Sequence, residues 1–170
     1  CHYGQLYLDD EAFKPYLKVL NEANVPVVVH HTPLPVYWQS IYEYTNLRRE
    51  LGRIIDQATA VGRELCSGMF DEFPNLKFIH TMFGGNWFAN YHLLTPHKTK
   101  KQEAMSRLNT SDAERIAGYL KNNIFFDMTH PASWGKDEVE CAIKVCGADH
   151  VLFGSSFPVF YGWMSEGVEF

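Results

Sequence analysis

The run 150-HVLFGSSFP-158 constrains this chain more than any other stretch. Val151, Leu152 and Phe153 are consecutive apolar residues, which suits a strand covered on both faces and hence a parallel sheet. Gly154 ends that strand, and Pro158 closes the polar turn behind it. Turn residues just past a parallel strand lie at the carboxyl end of the sheet, where α/β proteins assemble their ligand sites.

Three more segments read as strands: 25-VPVVVHHTP-33, 76-LKFIHTMF-83 and 123-NIFFDM-128. Helical patterns separate them. Asp9-Asp10-Glu11 caps a first helix with Pro15 in its first turn, and Phe13, Tyr16, Leu17 and Leu20 share one face. The start, Cys1-His2-Tyr3-Gly4, carries no strand of its own. A long helix runs from about Asn46 to Phe70, with Leu51, Ile54, Ile55, Ala58, Val61 and Leu65 at helical spacing. Gly84-Gly85 opens a further helical region, Ser111-Asp112 caps another, and 136-KDEVECAIKVC-146 ends on Gly147. Strands alternating with helices predict a parallel α/β fold in a single domain over residues 1–170. Both ends of the chain look cut.

Nearly half of the residues are hydrophobic (46%), which is enough to build a core. A formal charge of −5 with a pI near 5.9 gives no footprint for nucleic acid. The one basic cluster, Lys98, Lys100 and Lys101, is short enough to be a solvated helix end. No apolar run approaches the ~20 residues that a membrane span needs. The four cysteines, Cys1, Cys66, Cys141 and Cys146, lack CxxC spacing. Scattered thiols fit a reducing, cytoplasmic compartment.

Four segments, in order, carry a family resemblance. They are Pro26-Val27-Val28-Val29-His30, 67-SGMFDEFPNLKF-78, Met82-Phe83-Gly84-Gly85 and 147-GADHVLFGSSFP-158. Together the chain resembles the amidohydrolase-related family, the metal-dependent hydrolases and decarboxylases similar to aminocarboxymuconate semialdehyde decarboxylase. The resemblance implies a TIM-barrel-like α/β fold, with this chain covering about strands 5–8 of a (β/α)8 barrel. It also implies a divalent metal, zinc or manganese, in the full-length protein, and a partner for the open half: the missing N-terminal barrel half or a second copy.

On the same resemblance His30 is the metal ligand on strand 5, and His80, one layer deeper on strand 6, is a substitute ligand or a buried hydrogen-bonding residue. Adjacent residues of one strand point to opposite faces, so His31 is expected to turn away from His30. Two positions depart from the family pattern. Met82 stands where the family has His, and a thioether is a soft ligand. Ser156 stands where the family has the Asp that binds metal and takes a proton from the attacking water, which a neutral hydroxyl does poorly. Ser156 retains a hydrogen-bonding role, and Asp127, followed by His130, either fixes the loop or caps its start, or is a stand-in acid–base group. Gly84 and Gly85 present backbone N–H groups to an anionic substrate group or permit a tight turn. Trp87 and Phe157 are expected to line a pocket for a small-molecule substrate, together with Tyr37, Trp38, Phe88, Trp134 and Tyr161.

Three functions follow from these residues. One is a metal-dependent hydrolase of a small carboxylated or cyclic substrate, with an altered metal site. The others are a nonoxidative decarboxylase of the same family and a degenerate member that binds a ligand or partner without turnover.

Overall fold

A computed structural model describes residues 1–32, 34–45, 47–94, 113–129 and 134–169. The Lys98–Lys101 cluster, the Ser111-Asp112 cap and His130 lie outside that set.

The chain starts in a small antiparallel hairpin, β1 (His2–Tyr3) and β2 (Leu6–Tyr7). Each of its strands has just two residues, too few for alternation to show, so it departs from the expectation that this segment carries no strand. Helix α1 (Lys14–Ala23) follows a single turn capped by Asp10, whose Oδ1 accepts from the Ala12 N–H at 3.0 Å. Leu17 buries, whereas Tyr16 is 56% exposed and does not share the buried face.

The main sheet holds β3 (Pro26–Val29), β4 (Lys77–His80), β5 (Ile124–Asp127) and β6 (Val151–Leu152), parallel and in chain order. Register aligns Val29 with His80, His80 with Phe126, and Phe126 with Val151. One face of the sheet, carrying Val29, Phe78, His80, Ile124 and Phe126, is fully buried. Its apolar members pack against Leu17, Ala60, Val61, Leu65, Ile116 and Leu120 from the helices. On the opposite face Val28 is 61% exposed, while Ile79 and Phe125 are half-buried. Strand polarity therefore alternates as period 2 requires, with the helix layer on one side.

The long helix is less regular than its spacing predicts. A π-helical turn, Leu47–Leu51, leads into α2 (Gly52–Ser67). Gly68 then takes a φ of 80°, breaking the chain into α3 (Met69–Glu72).

After β4 no right-handed helix opens at Gly84–Gly85. Met82, Phe83, Gly84, Gly85 and Asn86 all adopt left-handed φ values between 51° and 63°. Each non-glycine residue there costs about 1–2 kcal/mol. Packing offsets this: Phe83, Trp87 and Phe88 are almost completely buried. The glycines are needed for close approach, since a Cβ on Gly84 would lie 2.3 Å from the Phe126 ring and one on Gly85 2.1 Å from the Ile54 carbonyl oxygen. Their role is a tight packed turn. The Gly84 N–H donates to the Thr81 carbonyl at 3.1 Å, so the tight-turn reading accounts for this glycine. Helices α4 (Tyr91–Leu94), α5 (Ala113–Asn122), α6 (Lys136–Cys146) and α7 (Gly162–Glu169) complete the described chain.

Candidate functional site

Because the strands are parallel, the residues after Val29, His80, Asp127 and Leu152 gather at one end of the sheet. His30 and Ser156 lie at that same end, as a barrel layout requires. β3 stops at Val29, so His30 and His31 escape strand alternation. Their rings stack, with centroids 4.2 Å apart and planes 28° apart, which corrects the expectation that they diverge. His30 Nδ1 lies 2.8 Å from the His31 carbonyl oxygen, which it donates to, and among the described residues its Nε2 has no partner. The Cys1 nitrogen holds the His30 carbonyl at 2.6 Å.

His31 is pinned by Thr81, whose Oγ1 lies 3.2 Å from its backbone N and 3.3 Å from its Nδ1. Burial, the neighbouring His30 and the Arg53 charge push His31 down to about 4, so it stays neutral near pH 7. Behind Thr81 runs a buried chain of hydrogen bonds. Gln57 Nε2 donates to the Val29 carbonyl at 2.7 Å and to Thr81 Oγ1 at 2.9 Å. That leaves Gln57 Oε1 as acceptor for His80 Nδ1–H at 2.9 Å, and His80 Nε2 meets Glu64 Oε2 at 2.7 Å. Both nitrogens of His80 are thus engaged in the core, and neither is left for a metal. Its reading as a substitute ligand is corrected to a buried link between α2 and β4.

Asp127 ends β5 and accepts a hydrogen bond from the Thr129 hydroxyl. It lies against the backbone of the β6 loop: a Cβ on Gly154 would sit 1.8 Å from Asp127 Oδ1. Gly154 is therefore glycine so that a carboxylate can lie there. Ser156 takes a φ of 52° in the turn beyond, and its carbonyl accepts from Val159 N at 2.9 Å. Among the described residues its hydroxyl meets no base, so no nucleophile pairing forms. Phe157 is 58% exposed and packs edge-on against Tyr161 at 5.4 Å. Trp87 is 2% exposed and packs in the core; it lines a cavity on the outer side of α2, with Ala58, Thr59, Gly62, Arg63, Cys66 and Asn90, and not the arginine cavity. Among the described residues no three His, Cys, Asp or Glu side chains gather closely enough to hold a metal ion. The donors present in this chain do not by themselves fit a metal centre.

They do form a cavity of about 440 Å³, lined by Arg49, Glu50, Arg53, Ile54, Met82, Trp134 and Trp163. Every wall comes from beyond the carboxyl end of a strand. Trp134 is locked by its Nε1–H, which donates to the Thr129 carbonyl at 2.7 Å, and by stacking on Phe83 at 5.6 Å. Among the described residues the buried Arg53 Nε has no acceptor. An unanswered guanidinium N–H beside a second arginine and two indoles suits a carboxylate on a flat apolar body. Arg49 and Arg53 were missed in the sequence because the helix was read from its apolar spacing alone. The available signal was charge: two cations, four residues apart, at the N-terminal end of a helix oppose its dipole.

No helix among the described residues is long and apolar enough to cross a membrane. No curated protein matches the chain. Solved structures do. 5-Carboxyvanillate decarboxylase LigW from Sphingomonas paucimobilis superposes with a TM-score of 0.76 at 20% identity, over 99% of this chain and 49% of its own. 5-Carboxyvanillate decarboxylase from Novosphingobium aromaticivorans, complexed with manganese and 4-hydroxy-3-methoxy-5-nitrobenzoic acid, gives 0.75 at 21% identity, over 99% and 47%. 2,6-Dihydroxybenzoate decarboxylase from Rhizobium gives 0.67 at 20% identity, over 90% and 46%. The chain spans about half the length of these proteins and shares their TIM-barrel fold over that half. A family model described as amidohydrolase matches residues 1–165, and the chain belongs to that family.

Proposed function

We propose that the complete protein is a nonoxidative decarboxylase of a hydroxylated aromatic acid, and that this chain supplies the anchor for the carboxylate. The observation that carries the reading is the cavity in which Arg49 and Arg53 face Trp134 and Trp163. Guanidinium groups bind a carboxylate in a forked geometry, and indole walls hold an aromatic ring at little entropic cost. The similar solved structures include decarboxylases of such acids, which supports the choice.

In the reaction the ring carbon gains a proton, the bond to the carboxylate breaks, its electron pair returns to the ring, and carbon dioxide leaves. Asp127, seated at the same end of the sheet, is the proton carrier, and Ser156 hydrogen-bonds a ring substituent. Phe157 covers the mouth of the site. Decarboxylation also accommodates the substitution at Ser156 better than hydrolysis does. Hydrolysis needs a base for attacking water at that position, whereas decarboxylation consumes a proton there.

The test is release of carbon dioxide by the complete protein from a panel of hydroxybenzoates that includes 2,6-dihydroxybenzoate. Arg53→Ala is expected to lower kcat/KM by about 100-fold, the usual scale for removing a desolvated charge partner. Hydrolysis of an amide or lactone without decarboxylation of any panel member would overturn the reading.

A further inference from the structure

A second cavity opens at the same end of the sheet, on the β3 side, with a volume of about 380 Å³. Its walls come from the hairpin (His2, Gly4, Gln5) and from the loop after His31 (Thr32, Leu34, Pro35, Val36, Trp38). None of these residues lines the arginine cavity.

What marks this cavity is how His2 is held. Asp56, on α2, is completely buried and is the hub. Its Oδ1 lies 2.8 Å from His2 Nδ1 and 2.9 Å from the Tyr7 hydroxyl. Its Oδ2 lies 3.3 Å from the Thr32 backbone N and 2.5 Å from the Thr32 hydroxyl. The Tyr7 hydroxyl, the Thr32 N–H and the Thr32 hydroxyl all donate to this carboxylate, so its oxygens act as acceptors. His2 Nδ1 must therefore carry a proton, and the tautomer is fixed by geometry. Burial and the Asp56 charge push Tyr7 upward, so the phenol stays a donor to the same hub.

With Nδ1 spent, Nε2 is the reactive atom of the ring, and it is an acceptor when the ring is neutral. His2 retains 12% side-chain exposure, lines the cavity, and has no partner for Nε2 among the described residues. A carboxylate that orients an imidazole so that its far nitrogen faces an open space is the arrangement that lets histidine take a proton from a hydroxyl. The other walls set the class of ligand. Leu34, Pro35, Val36 and Trp38 offer an apolar surface, with the Trp38 ring steadied against Tyr42 at 4.7 Å. No cation lines the cavity, so it makes no provision for a carboxylate.

We propose that this cavity is a binding subsite for a phenolic hydroxyl, which donates to His2 Nε2 while its ring packs on Trp38. Asp56 acts as a positioning residue, because it reaches the ligand only through His2. The assignment does not depend on the decarboxylase reading, since its ligand needs no carboxylate.

The experiment uses phenol and anisole as probes on the complete protein, with histidine ring nitrogens observed by 15N NMR. The unliganded spectrum should show His2 as the Nδ1–H tautomer. Phenol should shift the Nε2 signal, and anisole, which cannot donate, should bind about tenfold more weakly, the value of one neutral hydrogen bond. His2→Ala should abolish that preference and leave the fold intact, because Tyr7 and Thr32 still satisfy Asp56. Asp56→Asn should invert the tautomer and also erase the preference. If that variant does not fold, the His2 tautomer in the wild-type spectrum still decides the point. Arg53→Ala should leave the preference unchanged, which separates this subsite from the arginine cavity. Equal affinity for phenol and anisole, or an Nε2–H tautomer in the free protein, overturns the proposal.

Discussion

Replacing Glu64 by Gln exchanges one atom in the buried hydrogen-bond chain behind the site and removes its carboxyl proton. Glu64 is 1% exposed, and burial raises its pKa above the ordinary 4.5. The hydrogen bonds agree: Gln57 accepts from His80 Nδ1–H, so His80 Nε2 is free to accept from a protonated Glu64. A carboxyl whose folded value is raised stabilises the fold fully below its unfolded value. That contribution is lost as pH rises through the folded value. Between the unfolded and the raised folded value the slope of that loss is at most about 1.4 kcal/mol per pH unit, one proton's worth. His31 acts in the opposite sense, since a histidine pushed down from 6.5 to about 4 loses stability as pH falls across that window. The two slopes oppose each other in the raw profile, so the informative quantity is wild type minus Glu64→Gln. Urea midpoints at half-unit pH steps would read it, and with a slope near 2 kcal/mol per molar the difference should shift by at most about 0.7 M per pH unit. Glu64→Ala is the wrong probe, because it leaves His80 unpaired beside a void. A difference that is flat between pH 4.5 and 7, or that grows in favour of the wild type as pH rises, would show Glu64 ionised in the fold and refute the reasoning.

Two further substitutions test backbone positions next to the site. Gly84→Ala combines a φ of 57° with a Cβ 2.3 Å from the Phe126 ring, and should lower stability by about 2–4 kcal/mol in urea unfolding. An unchanged midpoint would show that the left-handed turn has room to relax. Gly154→Ala puts a Cβ 1.8 Å from Asp127 Oδ1 and must displace that carboxylate. If Asp127 carries the proton in decarboxylation, kcat should fall roughly 100-fold with KM nearly unchanged; a retained kcat would remove Asp127 from that role.

The sheet was legible because its strands are apolar runs bounded by turn residues: Val27–Val29, Phe78–Ile79, Ile124–Phe126 and Val151–Leu152 all pair in parallel, in the order expected. What escaped the sequence depends on contacts that no local pattern encodes. His30 and His31 looked divergent because alternation was extended one residue too far, past the point where β3 loses its partner. His80 shares a strand face with Met82, a spacing that admits a ligand reading beside the buried hydrogen-bonding one, and the latter matches its contacts. That face is decided by Gln57 and Glu64, more than a dozen residues away along the chain, which claim both of its nitrogens. Trp87 sits in an aromatic-rich loop, and yet the left-handed turn before it swings the indole into the core.

These misses share a physical origin that also locates the candidate site. The polar groups buried on α2 serve two different ends. Gln57 and Glu64, on the same helical face as Arg53, satisfy β4 and fix Thr81 and His31. Asp56 satisfies the hairpin and fixes His2. Arg53 has no acceptor for its Nε among the described residues. A buried donor left unanswered costs about 1–3 kcal/mol, and Arg53 Nε, on a side chain that lines the cavity, is one that a ligand can complete; Glu64 Oε1, farther along the same helix, is also buried without a partner among the described residues. Helix α2 is thus the element that organises this end of the sheet, and on the proposed function Arg53 is the position where a substrate carboxylate completes the hydrogen bonding that the protein leaves open.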